Sequence, residues 1–245
     1  MTDNEFRFTV ELLREYSAAS LSNATELVEE ASLLYEQGHV ARAYFLAVAS
    51  IEEIGKALLA FDAQGRNLAD SAVTAKLRRA MEDHSQKIAA AFSPMLLSNP
   101  NTREVLMPVI DLMIHLTLGR EPSMYADILY AESKVQLPRS IVRDVASKDC
   151  IRLSRDCLSN ARKYLAETPR DRTRVEDQLF AMKLEQFKKI FNKQDFWWYY
   201  IAQCEIGNRD FAASVITYQR EYLSKGNSFE RTNRNGSDPP ILSSS

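Results

Sequence analysis

Residues 43 to 61, Ala-Tyr-Phe-Leu-Ala-Val-Ala-Ser-Ile-Glu-Glu-Ile-Gly-Lys-Ala-Leu-Leu-Ala-Phe, are apolar on nearly every side at helical spacing and carry only three charges, Glu52, Glu53 and Lys56. At about 100° per residue, Ala47, Ile51, Ile54 and Leu58 form a core stripe, yet Phe45 and Leu59 flank the face that bears Glu52 and Lys56. A helix of this kind sits at the centre of a larger bundle. Its ionised groups then face a pocket or an interface, because a buried charge without a partner costs several kcal/mol. That leaves two options, a local ion pair or a functional site.

The remaining chain fits around such a helix. No stretch sustains period-2 alternation between turn residues, so the protein is expected to be all-α. Phe8 to Tyr35 supply one or two helices ending at Gly38, and the central helix covers about Val40 to Phe61. A third helix is predicted over Ser71 to Phe92, closed by Ser93-Pro94, and a fourth from Thr102 or Arg103 to Leu118. Residues 120 to 138 lack periodicity and carry two prolines, which predicts an ordered loop across the bundle. Helix resumes over Arg139 to Leu165 and breaks at Thr168-Pro169. Three shorter helices follow, around Arg174 to Phe191, Asp195 to Glu205 and Arg209 to Leu223. From Gly226 the composition offers almost nothing to bury and predicts a disordered tail.

Charge and cysteine usage narrow the classes. Net charge is only -2, so no global field favours nucleic acid, but residues 1 to 60 hold 4 basic and 10 acidic groups while residues 139 to 193 hold 14 basic and 8 acidic. Helix faces of opposite sign that dock on each other account for this pattern, with an anion-binding surface as the other reading. Cys150, Cys157 and Cys204 have neither disulfide nor zinc spacing, and no signal peptide begins the chain. The apolar run from Val105 to Leu118 is too short for a bilayer and contains Pro108, Asp111 and His115. A soluble cytoplasmic protein without membrane contact is expected.

Among sites, the seven glycines fit no phosphate-cradling loop, and Glu36-Gln-Gly-His39, the one Glu-x-x-His pair, sits at a helix end where His39 reads as a cap or surface residue. His84 stands on the apolar face of its helix with Leu77 and Ile88, and Lys87 lies one turn on. Glu52 and Lys56 facing His84 and Lys87 would surround a phosphate with an acid/base and two cations, the parts needed to cleave a phosphodiester. The same residues also make an interhelical salt-bridge network of Glu52 and Glu53 with Lys56 and Lys87. The Phe196-Trp197-Trp198-Tyr199-Tyr200 cluster reads first as an accessory core, and otherwise as a partner anchor or a base-stacking surface.

Gly38-x-x-x-Arg42-Ala43-Tyr44, then Ile51-Glu52-Glu53-Ile54-Gly55-Lys56-Ala57, then Asp83-His84-Ser85-Gln86-Lys87, then Met124-Tyr125-Ala126-Asp127 and Pro138, resemble the AbiV-type abortive-infection proteins of the HEPN superfamily over about Phe6 to Leu165. Tyr130 offers a second alignment of the tyrosine element. The resemblance implies a HEPN-like helical bundle over residues 1 to 168; outside it lie the helical extension over 169 to 225 and the tail over 226 to 245. It implies a bacterial anti-phage protein, a metal-independent endoribonuclease toxin that arrests growth, acting on RNA without cofactor as a homodimer, under a phage-encoded trigger or an inhibitory protein. A catalytically inactive module that binds a nucleotide or a phage or host protein is the alternative, and a purely structural adaptor a third. Carried over by position, the catalytic candidates are Glu52, Glu53, Lys56, His84, Lys87, Tyr125 and Asp127, with no metal ligands. Arg79 and Arg120 are candidate RNA contacts. Arg78 and Arg79 meet the spacing of the R-x4-6-H signature common in HEPN nucleases, but Ala80 replaces the usual polar residue, and on a straight helix Arg79 points about 140° away from His84. Lys87 and Lys56 therefore rank above Arg79.

Overall fold

The computed structural model describes residues 6–97 and 112–230. Two compact units divide the chain, Met1–Leu68 with Thr74–Asp171, and Ala69–Val73 with Arg172–Ser245. The first contains α1 (Val10–Glu36), α2 (Val40–Ala63), α3 (Ser71–Glu82) from Thr74 onward, α4 (His84–Leu97), a helix over 112–119 termed α5, α6 (Pro138–Ile141) and α7 (Asp144–Leu165). The expected start of α5 at Thr102 or Arg103, and the predicted tail beyond residue 230, lie outside the described residues.

The sequence sets both ends of α1. The Thr9 hydroxyl accepts the Leu12 N–H at 3.1 Å and opens the helix. At its close Gly38 takes φ +79°, and the N–H groups of Gly38 and His39 return to the carbonyls of Tyr35 and Leu34. The reversal lays α2 along α1. As its composition requires, α2 is central and packs against α1, α4 and α7, with Ala47, Ile51 and Ile54 wholly buried and Leu58 nearly so. Buried serines tie these helices at close range. Ser50 donates to the Ala24 carbonyl at 2.7 Å, Ser154 donates to Ser50 at 2.8 Å, and Ser17 donates to the Ala57 carbonyl at 2.8 Å. Each satisfied hydroxyl adds about 1 kcal/mol and avoids the cost of an unpaired buried donor. The basic α7 does dock on the acidic α1, but Arg155 and Arg162 donate to the hydroxyls of Ser32 and Thr25 rather than to carboxylates.

Several boundaries differ from the expected ones. The third helix is two, broken at Asp83, whose carboxylate accepts the Gln86 N–H at 2.9 Å and whose own N–H still closes α3 on Arg79. One residue thus ends a helix and caps the next, and that amide holds its carboxyl below the usual range. Beyond it, α4 runs through Pro94 instead of stopping there. The helix expected from Arg139 is one turn, α6, then extended residues Val142 and Arg143, then α7. Within the loop, β1 (Asp127–Leu129) and β2 (Lys134–Gln136) form an antiparallel hairpin, pairing Ile128 with Val135.

The second unit holds α8 (Arg174–Ala181), α9 (Leu184–Phe191), α10 (Gln194–Glu205), α11 (Phe211–Tyr218) and a π-turn over Gln219–Leu223. The first expected helix here is divided where Met182 and Lys183 are extended. Met182, Ile190, Phe196, Tyr199, Val215 and Tyr218 form its core. The chain also stays ordered past Gly226, because Asp195 accepts from Tyr218, Ser228 and the N–H groups of Phe229 and Glu230, and Phe229 packs on Tyr199 and Tyr222.

Gly55 is where α2 and α4 come closest, since a Cβ built there would lie 1.8 Å from the Lys87 carbonyl oxygen. Gly55→Ala must push the helices apart, and chemical denaturation should show a loss at or above the 1–3 kcal/mol, roughly, that overpacking costs. Loss below 1 kcal/mol, on the order of an ordinary surface change, would contradict this packing.

Candidate functional site

The close approach at Gly55 brings the first turn of α4 over the second half of α2. There Glu52, only 5% exposed, receives three cationic or polar groups. Its Oε2 lies 2.7 Å from His84 Nδ1 and 2.9 Å from Lys87 Nζ, and its Oε1 lies 2.7 Å from Arg120 Nε. The Arg120 contact is a charge pairing whose N–H is not directed at the oxygen. Arg120 enters from the turn after α5, held by the Ser123 hydroxyl on the Arg120 carbonyl, and its guanidinium lies 5.5 Å above the Phe45 ring. Burial pushes the Glu52 carboxyl up, but the hydrogen bonds from His84 and Lys87 and the charges of Lys87 and Arg120 outweigh it and hold it below the usual range.

An ionised Glu52 fixes the histidine tautomer. A carboxylate can only accept, so Nδ1 carries the proton and donates to Glu52, and Nε2 is the acceptor of the neutral ring. Lys87 Nζ, 3.2 Å from the same Nδ1, is then a neighbouring charge rather than a donor to it. The two side chains share one helical turn but not one environment, since that of His84 is 46% exposed and that of Lys87 6%.

Beside this group Lys56 pairs with Glu53. Burial would lower the Lys56 pKa, but the hydrogen bond and charge of Glu53, with Tyr16 and Glu52 nearby, raise it, so the ammonium stays charged. The structure therefore joins Glu52, His84, Lys87 and Arg120 and sets Glu53 and Lys56 alongside as a pair within α2, so that of the four residues of the expected interhelical network Glu52 and Lys87 pair across helices.

Other candidates stand apart. His84 is not on the apolar face of a continuous helix with Leu77; the break at Asp83 makes it the half-exposed first residue of α4. Arg79 is exposed and donates to its own Ala75 carbonyl, and the exposed Arg78 lies over Phe6 at 5.2 Å, so neither arginine of the R-x4-6-H spacing joins the group. Tyr125 is 62% and Tyr130 84% exposed. The Asp127 carboxylate folds back onto the Ile128 N–H. Neither Tyr125 nor Asp127 bonds to the Glu52 group among the described residues. The roles of Phe45 beneath Arg120 and of Gly55 as spacer were missed; the one available signal was the glycine between Glu53 and Lys56.

Among the described residues, no group of three or more His, Cys, Asp or Glu is placed to share a metal ion, and no helix is long and apolar enough to cross a membrane. All three cysteines are free, and burial pushes the Cys150 and Cys157 thiols up to about 12.

The helical bundle with its central Glu-Glu-x-Gly-Lys helix and facing His-x-x-Lys turn falls in the HEPN class by the family model that it matches. Residues 12–159 match the family model described as AbiV, and the chain belongs to that family of abortive-infection-type proteins. Neither the curated proteins nor the solved structures yield a match.

The depressed Glu52 pKa makes a prediction with a definite sign. Because the folded value lies below the ordinary 4.5, its stabilisation is present above that pH and is lost as pH falls through the folded value. Glu52→Gln strands Lys87 and should cost about 3–5 kcal/mol at neutral pH. In urea titrations across pH, the gap between wild type and variant should narrow on acidification, and a constant gap would contradict the assignment.

Proposed function

We propose that this protein is a metal-independent endoribonuclease that acts in the cytoplasm as a growth-arresting toxin of anti-phage defence, answering to a phage-encoded trigger or an inhibitory partner. The observation that carries this reading is the histidine held through Nδ1 by a buried carboxylate, half-exposed and flanked by a buried lysine. Such a ring is oriented, holds its Nδ1 proton toward the carboxylate, and presents Nε2 to move a proton. In the proposed reaction Nε2 takes the proton of a ribose 2′-hydroxyl. The 2′-oxygen bonds to the adjacent phosphorus, the bond to the 5′-oxygen breaks, and a proton returns to that leaving oxygen, giving a 2′,3′-cyclic phosphate. Charge on the phosphorane is offset by Lys87, Lys56 and Arg120, which together outnumber Glu52 and Glu53. Glu52 acts as a positioning residue.

His84→Ala should abolish RNA cleavage and growth arrest, by about 10²–10⁴-fold, with little loss of stability since the ring is half-exposed. Lys56→Ala should also lower activity, and Arg79→Ala should leave it near wild type. Cleavage should persist in EDTA and fail on DNA, which lacks the nucleophile. Retained growth arrest in His84→Ala, or binding of a nucleotide or protein without any cleavage, would favour the silent binding module.

A homodimer is part of the same proposal. The hairpin gives it an apolar face, with Ile128 and Val135 paired across the strands at 51% and 69% exposure. Light scattering should find a dimer at micromolar concentration that Val135→Asp dissociates; a monomeric wild type would remove this part of the reading.

A further inference from the structure

The aromatic cluster of the second unit is neither all core nor all surface. Phe196 and Tyr199 point inward at 0% and 5% exposure, while Trp197 and Trp198, the chain's two tryptophans, are each 42% exposed. Trp197 is braced: its indole N–H donates to the Phe191 carbonyl at 2.9 Å, and its ring lies against Phe191 and Phe196. The Trp198 ring stacks on no other ring, and its N–H has no partner among the described residues. As neighbours on α10 the two indoles project about 100° apart, and together they make a two-sided platform with open ring area.

What surrounds the platform gives its chemistry. Phe191 ends α9, whose last turn carries Lys188 and Lys189, and Lys193 caps α10 one helical turn before Trp197. Residues 183–193 hold four lysines against one acid, Glu185, and Lys188, Lys189 and Lys193 are exposed. An isologous contact between two copies would bring these lysines toward their equivalents, which disfavours a second copy as occupant. A polyanion with flat apolar faces satisfies both features, because its phosphates meet the lysines and its unpaired bases stack on the indoles.

We propose that the α9–α10 surface binds single-stranded nucleic acid through base stacking on Trp197 and Trp198 and phosphate contacts to Lys188, Lys189 and Lys193. That the physiological strand is the RNA substrate rests on the ribonuclease reading above; the binding itself does not.

Because both tryptophans lie on this surface, the tryptophan emission of the full chain, excited selectively over its ten tyrosines, reports on it. A 2′-O-methyl single-stranded RNA, which has no free nucleophile, should quench that emission, and a fully paired duplex of the same sequence should not. By anisotropy of the labelled strand, Trp198→Ala should weaken binding about tenfold and Trp198→Phe should restore much of it. Replacing Lys188 and Lys189 by Ala should lower the slope of log affinity against log salt by about 0.7 per lysine. No quenching, equal quenching by duplex, unchanged affinity in Trp198→Ala, or emission that follows protein concentration instead of RNA would overturn the proposal. Binding by a wild-type protein that cuts no RNA would sink the ribonuclease reading and leave this surface standing.

Discussion

The buried carboxylate of Glu52 organises the first unit. Desolvating one carboxylate and a lysine as buried as Lys87 costs several kcal/mol per ion, and their attraction repays this only in good geometry with the remaining lone pairs engaged. Here Oε2 is hydrogen-bonded by a lysine and a histidine of α4, and Oε1 faces the charge of an arginine from a separate segment. Removing Glu52 would leave Lys87 buried without its counter-charge. The arrangement depends in turn on Gly55, since only a residue without Cβ lets the α4 backbone approach α2 closely enough for Lys87 to reach back.

The break at Asp83 divides labour within one turn of α4. Had α3 continued straight into α4, His84 would have stayed on the buried stripe with Leu77. Asp83 instead restarts the helix, so His84 becomes a first-turn residue at the solvent edge while Lys87 points inward. A proton carrier needs access to water and substrate, whereas a fixed charge acts more strongly where water is excluded. One break supplies both environments from residues three apart.

Much of this was legible in the sequence, and for stated reasons. The central helix announced itself because charges on an all-apolar surface demand partners, and Glu52, His84 and Lys87 do meet, whereas Lys56 pairs with Glu53 and His84 leaves the stripe of Leu77. Three things were not legible. Asp83 breaks a helix without Gly or Pro, through a side-chain cap that an aspartate in mid-helix pattern does not advertise. The Ile128–Val135 hairpin is too short for its alternation to register. Order in residues 226–230 comes from Asp195 and the aromatic pocket of a distant helix, so local composition carried no sign of it.

The same limit applies to the arginine of the site. Local spacing nominated Arg78 and Arg79, yet both lie on the exposed side of α3, and the arginine that reaches Glu52 is Arg120, far along the chain. The substitution is physically sensible. A guanidinium presents five donors in a planar fork, and with Nε set against Glu52 as a charge contact the Nη groups are left without a partner among the described residues. Phe45 supports the flat face of the fork, and Ser123 pins the turn that carries it. A lysine in this position would have one point of charge to divide between Glu52 and a phosphate. An arginine can hold the first with one edge and offer the other to an incoming anion, which is the property the site requires if its cations are to serve both fold and substrate.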